Sequence, residues 1–285
     1  MNYSEQAITF DCGPDQLAGI LAKPQTAAST AVIVIVGGPQ YRVGSHRQFV
    51  LLSRALAAAG YPVLRFDYRG MGDSTGAQRD FTTVTADIAA AIVAMQTQQP
   101  SVTRIALWGL CDGATAALLY CHDTNDARIG GLCLLNPWVR SEASLARAHV
   151  KHYYIQRLRQ KEFWTKLFSG KVAVAALGGL WRNLRLMASG PDSPGVTQQK
   201  SFQQRMALAW GKFNGSILLL LSGDDYTAKE FLEHASMDEA WTGLIGQPHV
   251  VRHDLPGADH TFSTATASTQ VEVLTLDWLQ RHTTQ

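Results

Sequence analysis

Gly109-Leu110-Cys111-Asp112-Gly113 places a thiol between two glycines at the spacing of a nucleophile elbow, the sharp turn that lifts an attacking atom out of a sheet. A sulfur held there suits covalent acyl transfer, because a helix start and a neighbouring imidazolium both stabilise the thiolate, the attacking form. The alternative for Cys111 is a buried cysteine that packs as a small hydrophobe. Two later stretches bear on the choice. Ser222-Gly223-Asp224-Asp225 offers carboxylates, and Ala258-Asp259-His260 offers an imidazole. His260 would take the thiol proton and later deliver it to a leaving group, while a carboxylate fixes the ring tautomer and steadies the imidazolium.

A tetrahedral intermediate also needs donors aimed at its oxygen. One is the backbone N–H of Asp112, at the start of the helix expected after Cys111. The other is expected from Val36-Gly37-Gly38-Pro39-Gln40. Gly38 N–H is preferred, since Pro39 has no N–H, and Gln40 is the fallback; a plain Gly-Pro turn is the alternative. In the stretch that follows, Ser45 reads as a helix cap. His46 reads as a helix-start residue before a substrate contact, and Gln40 and His46 are the candidate pocket residues. Asp67 and Arg69, in a charged glycine-rich turn, are expected to brace loops, and Asp259 likewise.

The elements that must position these groups alternate along the chain. A hairpin is expected from Ala7–Phe10 and Leu17–Leu21 around Gly13-Pro14-Asp15. Apolar runs at 31–36, 62–66, 104–108, 129–135, 217–221 and 250–253 then read as strands, with helices at 47–59, 84–96 and 271–280. Continuous apolar strands separated by helices imply a mostly parallel sheet covered on both faces. Cys111, the Asp224/Asp225 pair and His260 each fall just past one of those strands.

Among the 285 residues the net charge of +2 conceals a split: residues 140–212 carry 13 basic and three acidic side chains, a net +10, and the remainder a net −8. The basic stretch interleaves cations with Tyr153, Tyr154, Phe163 and Trp164, and is expected to be an inserted helical lid over 139–215, with 1–138 and 216–285 forming the core. Peripheral membrane contact through that lid is one expectation; nucleic-acid binding is not expected, as the rest of the chain is acidic. The start of the chain lacks a basic, apolar leader, so the expected location is cytoplasmic. Cys12, Cys111, Cys121 and Cys133 form no C-x-x-C pair, so neither disulfides nor a metal site is expected, and no cofactor. The oligomeric state stays open.

Nucleophile, acid, histidine is the order of the α/β-hydrolase triad. Together with Phe66-Asp67-Tyr68-Arg69-Gly70-x-Gly72-x-Ser74, the elbow and the histidine loop, it resembles the α/β-hydrolase superfamily and its serine-aminopeptidase-like branch. In that fold the acid follows the turn glycine by two residues, which favours Asp225 over a solvated Asp224. Residues 37–49, Gly109-Leu110-Cys111-Asp112 and Ser222-Gly223-x-Asp225-x-Thr227-Ala228-x-Glu230-Phe231 are similar to the exosortase A system-associated hydrolase type 1. That resemblance implies a role alongside bacterial exopolysaccharide production and envelope protein sorting. The cysteine departs from most of the superfamily and is shared with dienelactone-hydrolase-like members. The expected activity is hydrolysis of an ester, thioester or lactone on a small or saccharide-linked acyl substrate, through a Cys111-His260-Asp225 triad. An acyltransferase to a sugar acceptor and a non-catalytic anion-binding protein are the alternatives.

Overall fold

The computed structural model describes residues 2–38, 40–140 and 200–282. The opening hairpin pairs β1 (Tyr3–Cys12) with β2 (Asp15–Pro24) in an antiparallel ladder, turning at the positive-φ Gly13. Strands and helices then alternate: β3 (Thr30–Ile35), α1 (Gln48–Ala58), β4 (Val63–Phe66), α2 (Thr85–Gln98), β5 (Arg104–Leu110), α3 (Asp112–Thr124) and β6 (Ile129–Leu135). After the undescribed stretch come α4 (Phe202–Lys212), β7 (Ser216–Ser222), α5 (Tyr226–Met237), β8 (Val250–Leu255) and α6 (Ala265–His282). The sheet runs β1-β2-β4-β3-β5-β6-β7-β8, with β2 antiparallel to both neighbours and every pair from β4 to β8 parallel.

The apolar runs are continuous because both faces are buried, and alternate residues serve opposite faces. Ile33, Leu107, Leu134 and Leu219 join one core with α2, α3, Met206 and Trp210 of α4, and Phe231 of α5. Val34, Trp108, Leu135 and Leu220 join the other, with Phe49, Leu52 and Leu56 of α1 and Val271, Trp278 and Leu279 of α6. Strand order reverses between β3 and β5, since β4 lies on one side of β3 and β5 on the other. In open α/β sheets the crevice beyond the strands' carboxyl ends at such a reversal is where ligands bind. All the expected chemistry lies at that end.

Two expectations require correction. Helix α4 falls inside the stretch 139–215 expected as a lid, yet its Met206 and Trp210 are fully buried in the core beside α3. Charge concealed this: one apolar stripe suffices to dock a helix whose other faces are polar. The remainder of the basic stretch, 141–199, lies outside the described residues. Ser45 does not cap the next helix. The chain instead passes through a 3-10 turn, Ser45–Arg47, with His46 and Arg47 both left-handed, and neither Gly44 nor Arg47 gives a side-chain cap. Among the described residues no helix is long and apolar enough to cross a membrane.

Candidate active site

Strand β5 delivers Cys111 to its position. The residue sits at φ 60°, ψ −124° as the N-cap of α3, a conformation that non-glycine residues adopt only when the surroundings impose it. Those surroundings are specific. Cys111 N–H donates to Leu135 O at 2.8 Å, and Cys111 O accepts from Ala114 N at 3.1 Å and Trp138 N at 3.2 Å. The flanking glycines allow close approach. A Cβ on Gly109 would stand 2.5 Å from the Gly113 carbonyl, and one on Gly113 would stand 2.5 Å from Ile35 O. Any side chain at either position would drive the elbow from β3 and from its own helix.

His260 follows β8 and faces the elbow. Its Nδ1 is 2.8 Å from Asp225 Oδ2, and Cys111 lies close enough to the ring to raise its pKa. Asp225, 6% exposed at the end of β7, also caps α5 by accepting from Thr227 N at 3.1 Å and Ala228 N at 3.3 Å. Burial works to raise the Asp225 carboxyl, but the bonds from His260 and these amides outweigh it and hold it below the usual 3.8. The bond to Asp225 and the nearby Cys111 push His260 up to about 10 against the opposing effect of burial. Asp224 is exposed and engages Ala258 O only through its backbone N–H at 3.0 Å. Asp259 turns away from the ring and gathers Thr261 N at 3.1 Å and Ser263 N at 2.9 Å, as a brace for the histidine loop.

The proposed oxyanion donors take an unexpected arrangement. Gly38 N–H, expected to be open, donates to Asp112 Oδ1, and the backbone N–H groups of Gly113 and Asp112 lie near enough to act on the same carboxyl. Burial raises the Asp112 carboxyl despite these donors and despite the nearby His260 charge. Gln40 Oε1 accepts from Ser45 N at 3.3 Å and steadies the loop. His46 is exposed, and its electrostatic influence reaches Asp259 beside His260.

Two positioning residues escaped the sequence reading. Asn136, left-handed and fully buried after β6, accepts Ser222 N–H at 2.9 Å and donates to Ser222 Oγ at 2.8 Å and His260 O at 3.2 Å. It thereby joins the ends of β6 and β7 to the histidine loop. Arg42 anchors the oxyanion loop: its N–H donates to Asp67 Oδ1 at 2.7 Å, and its guanidinium pairs with Asp67 and Asp73. Asp67 and Arg69 brace loops, the latter through Asp87 at 2.7 Å. A lone asparagine or arginine in a loop carries no spacing signal; only their bonds in the fold reveal them. Asn136→Ala is expected to strand the buried Ser222 amide and to lower the unfolding free energy by about 1–3 kcal/mol in urea titrations. An unchanged urea midpoint would show that the asparagine ties nothing.

Among the described residues no group of three or more His, Cys, Asp or Glu is placed to hold a metal ion.

Residues 27–200 match the family described as Serine aminopeptidase, S33. The quorum-quenching protein AidA of Acinetobacter baumannii (strain MDR-ZJ06) is 26% identical over 198 residues, covering 65% of this chain and 61% of AidA. The chain thus spans about three fifths of the length of that curated relative. Pyrococcus furiosus esterase Pf2001 superposes with a TM-score of 0.65 at 15% identity, over 98% of this chain and 93% of that one. Dienelactone hydrolase of Anabaena variabilis gives 0.61 at 14% identity over 99% of both chains. Est1E of Butyrivibrio proteoclasticus, solved with ferulic acid bound, gives 0.61 at 16% identity, over 98% of this chain and 100% of its own. These structural likenesses carry the fold, and the family match spans well over half of the sequence. The chain belongs to the Serine aminopeptidase, S33 family, with the α/β-hydrolase fold.

Proposed function

We propose that this chain hydrolyses a carboxylic ester, thioester or lactone through a covalent acyl-enzyme on Cys111, with His260 as acid and base and Asp225 as its orienting carboxylate. The observation that carries this reading is the imidazole bonded to Asp225 at 2.8 Å with Cys111 close enough to help raise its pKa. With His260 pushed up to about 10, the ring carries the proton it will donate, and an imidazolium beside a thiol favours the thiolate as the attacking form. The sulfur attacks the carbonyl carbon, the carbon–oxygen double bond opens to a tetrahedral oxyanion, and His260 protonates the departing oxygen or sulfur as its bond to carbon breaks. Water then attacks the thioester, losing a proton to His260, and collapse releases the acid and restores the thiolate–imidazolium pair. The names of the esterase and dienelactone hydrolase among the structural neighbours agree with this substrate range.

The motif resemblance extends the proposal to service alongside bacterial exopolysaccharide production in the cytoplasm, with a saccharide-linked acyl group as substrate. Intact-mass measurement after brief exposure to candidate acyl donors tests the core of it. An acyl adduct mapped to Cys111 is expected, and turnover without a sulfur adduct under any quenching condition would defeat the mechanism.

The pH dependence follows from the same pair. A histidine raised from 6.5 to about 10 stabilises the fold fully below 6.5, and that contribution fades as pH rises through about 10. Asp225, held below 3.8, has the opposite sign: its contribution is complete above 3.8 and is lost as pH falls further. Activity should therefore fall on the alkaline side as the imidazolium loses the proton it must donate, with kcat/KM declining through about pH 10. A pH–rate profile with its alkaline limb near 6.5 would contradict this.

A further inference from the structure

The amide preferred as an oxyanion donor is already bonded to an anion. Asp112 Oδ1 accepts Gly38 N–H, and the N–H groups of Gly113 and Asp112 lie near the same carboxyl. Gly37 is bare where that carboxylate lies, for a Cβ there would run into Asp112 Oδ1. The loop after β3 is thus shaped around the acidic side chain. A second feature lies within its field. The Tyr68 hydroxyl is buried, with the residue 5% exposed, has no hydrogen-bond partner among the described residues and senses the Asp112 charge. A buried hydroxyl left without a partner is costly, and it is a donor in waiting.

A carboxylate is a stronger acceptor than a neutral carbonyl, so a ground-state substrate does not readily displace it. An alkoxide carries full charge and competes on equal terms, which couples the exchange to the developing transition state. We propose that Asp112 is a displaceable occupant of the oxyanion site, moving toward the Tyr68 hydroxyl as the tetrahedral intermediate forms and selecting against acyl groups that carry a negative charge. This rests on the proposed Cys111 acyl-enzyme and adds a substrate class to it, neutral or cationic acyl groups. The exclusion is Coulombic: an acyl carboxylate beside the carbonyl would meet Asp112 at short range in a partly dry site.

The test compares two reactions of the same sulfur in wild type, Asp112→Asn, Asp112→Ala and Tyr68→Phe, each checked for an unaltered thermal transition. Iodoacetamide alkylation draws on the thiolate without an oxyanion donor, whereas acylation by a neutral aryl thioester needs one. Both Asp112 variants are expected to raise the ratio of acylation to alkylation by roughly 10-fold, and Tyr68→Phe to lower it several-fold. Wild type should acylate faster with butyryl than with succinyl thioester by about 10-fold or more, and the Asp112 variants should lose that preference. A ratio that stays level or falls in both Asp112 variants, or a charge preference that survives in them, overturns the proposal. A Tyr68→Phe enzyme that acylates as wild type does overturns the landing place assigned to the carboxylate. Absence of any acyl adduct on Cys111 in all four proteins, with alkylation intact, would instead overturn the acyl-enzyme reading beneath it.

Discussion

Cys111→Ala is expected to lower kcat/KM for a neutral ester or thioester by a factor on the order of 10⁴ or more, because no other atom in the constellation replaces the sulfur as nucleophile. The fold should persist. The bonds that hold the elbow run through the backbone N–H and carbonyl of residue 111, and alanine keeps both. Alanine also retains the positive φ at no greater steric cost than cysteine, since both carry one Cβ. The loss should therefore appear in turnover and in acyl-adduct formation, with a thermal transition close to that of wild type. Cys111→Ser is the informative companion. A serine hydroxyl needs a neutral imidazole to take its proton, while His260 here is stabilised as the cation, so the serine enzyme should recover only part of the lost rate. Turnover in Cys111→Ala within a few-fold of wild type would remove the sulfur from the mechanism.

Asp225→Asn should reduce kcat by about 10⁴-fold, and at neutral pH it should also cost the stability that the pairing with His260 contributes, while the helix cap is kept. Asparagine caps helices about as well as aspartate, so the bonds from Thr227 and Ala228 survive. What changes is the face toward His260. An amide nitrogen presented to Nδ1 favours the tautomer with its proton on the wrong nitrogen, and the uncharged side chain no longer supports the imidazolium. Asp225 is the largest cause of the elevated His260 pKa, so the ring should titrate closer to its usual 6.5. Nuclear magnetic resonance titration of His260 alongside steady-state rates would check both statements. A near-wild-type kcat with His260 still titrating high would assign the orienting role elsewhere.

Much of this arrangement was legible in the sequence because parallel strands announce themselves. Each chemistry-bearing residue follows an apolar run buried on both faces, and the carboxyl ends of such strands lie side by side whatever the intervening helices do. Cys111, Asp225 and His260 could be placed for that reason. The Asp112 carboxylate could not, since its turn back onto Gly38 depends on how close the ends of β3 and β5 approach, a distance that periodicity does not encode. Ser45 misled because capping preference is local, whereas the backbone there is bent through left-handed His46 and Arg47 by the loop that Arg42 anchors. The lid boundary misled because cations mark the outer surface of a helix and say nothing of whether its apolar stripe is docked, as that of α4 is.

The distribution of the four thiols has a practical consequence. Burial pushes Cys121 up to about 12, and raises Cys12 and Cys133 as well, while Cys111 stands half-buried against an imidazole. A chromogenic disulfide reagent should therefore register one rapid equivalent from native molecules and three delayed ones. The delayed equivalents would track opening of the core, so one colorimetric trace can report active-site occupancy and the unfolded fraction together.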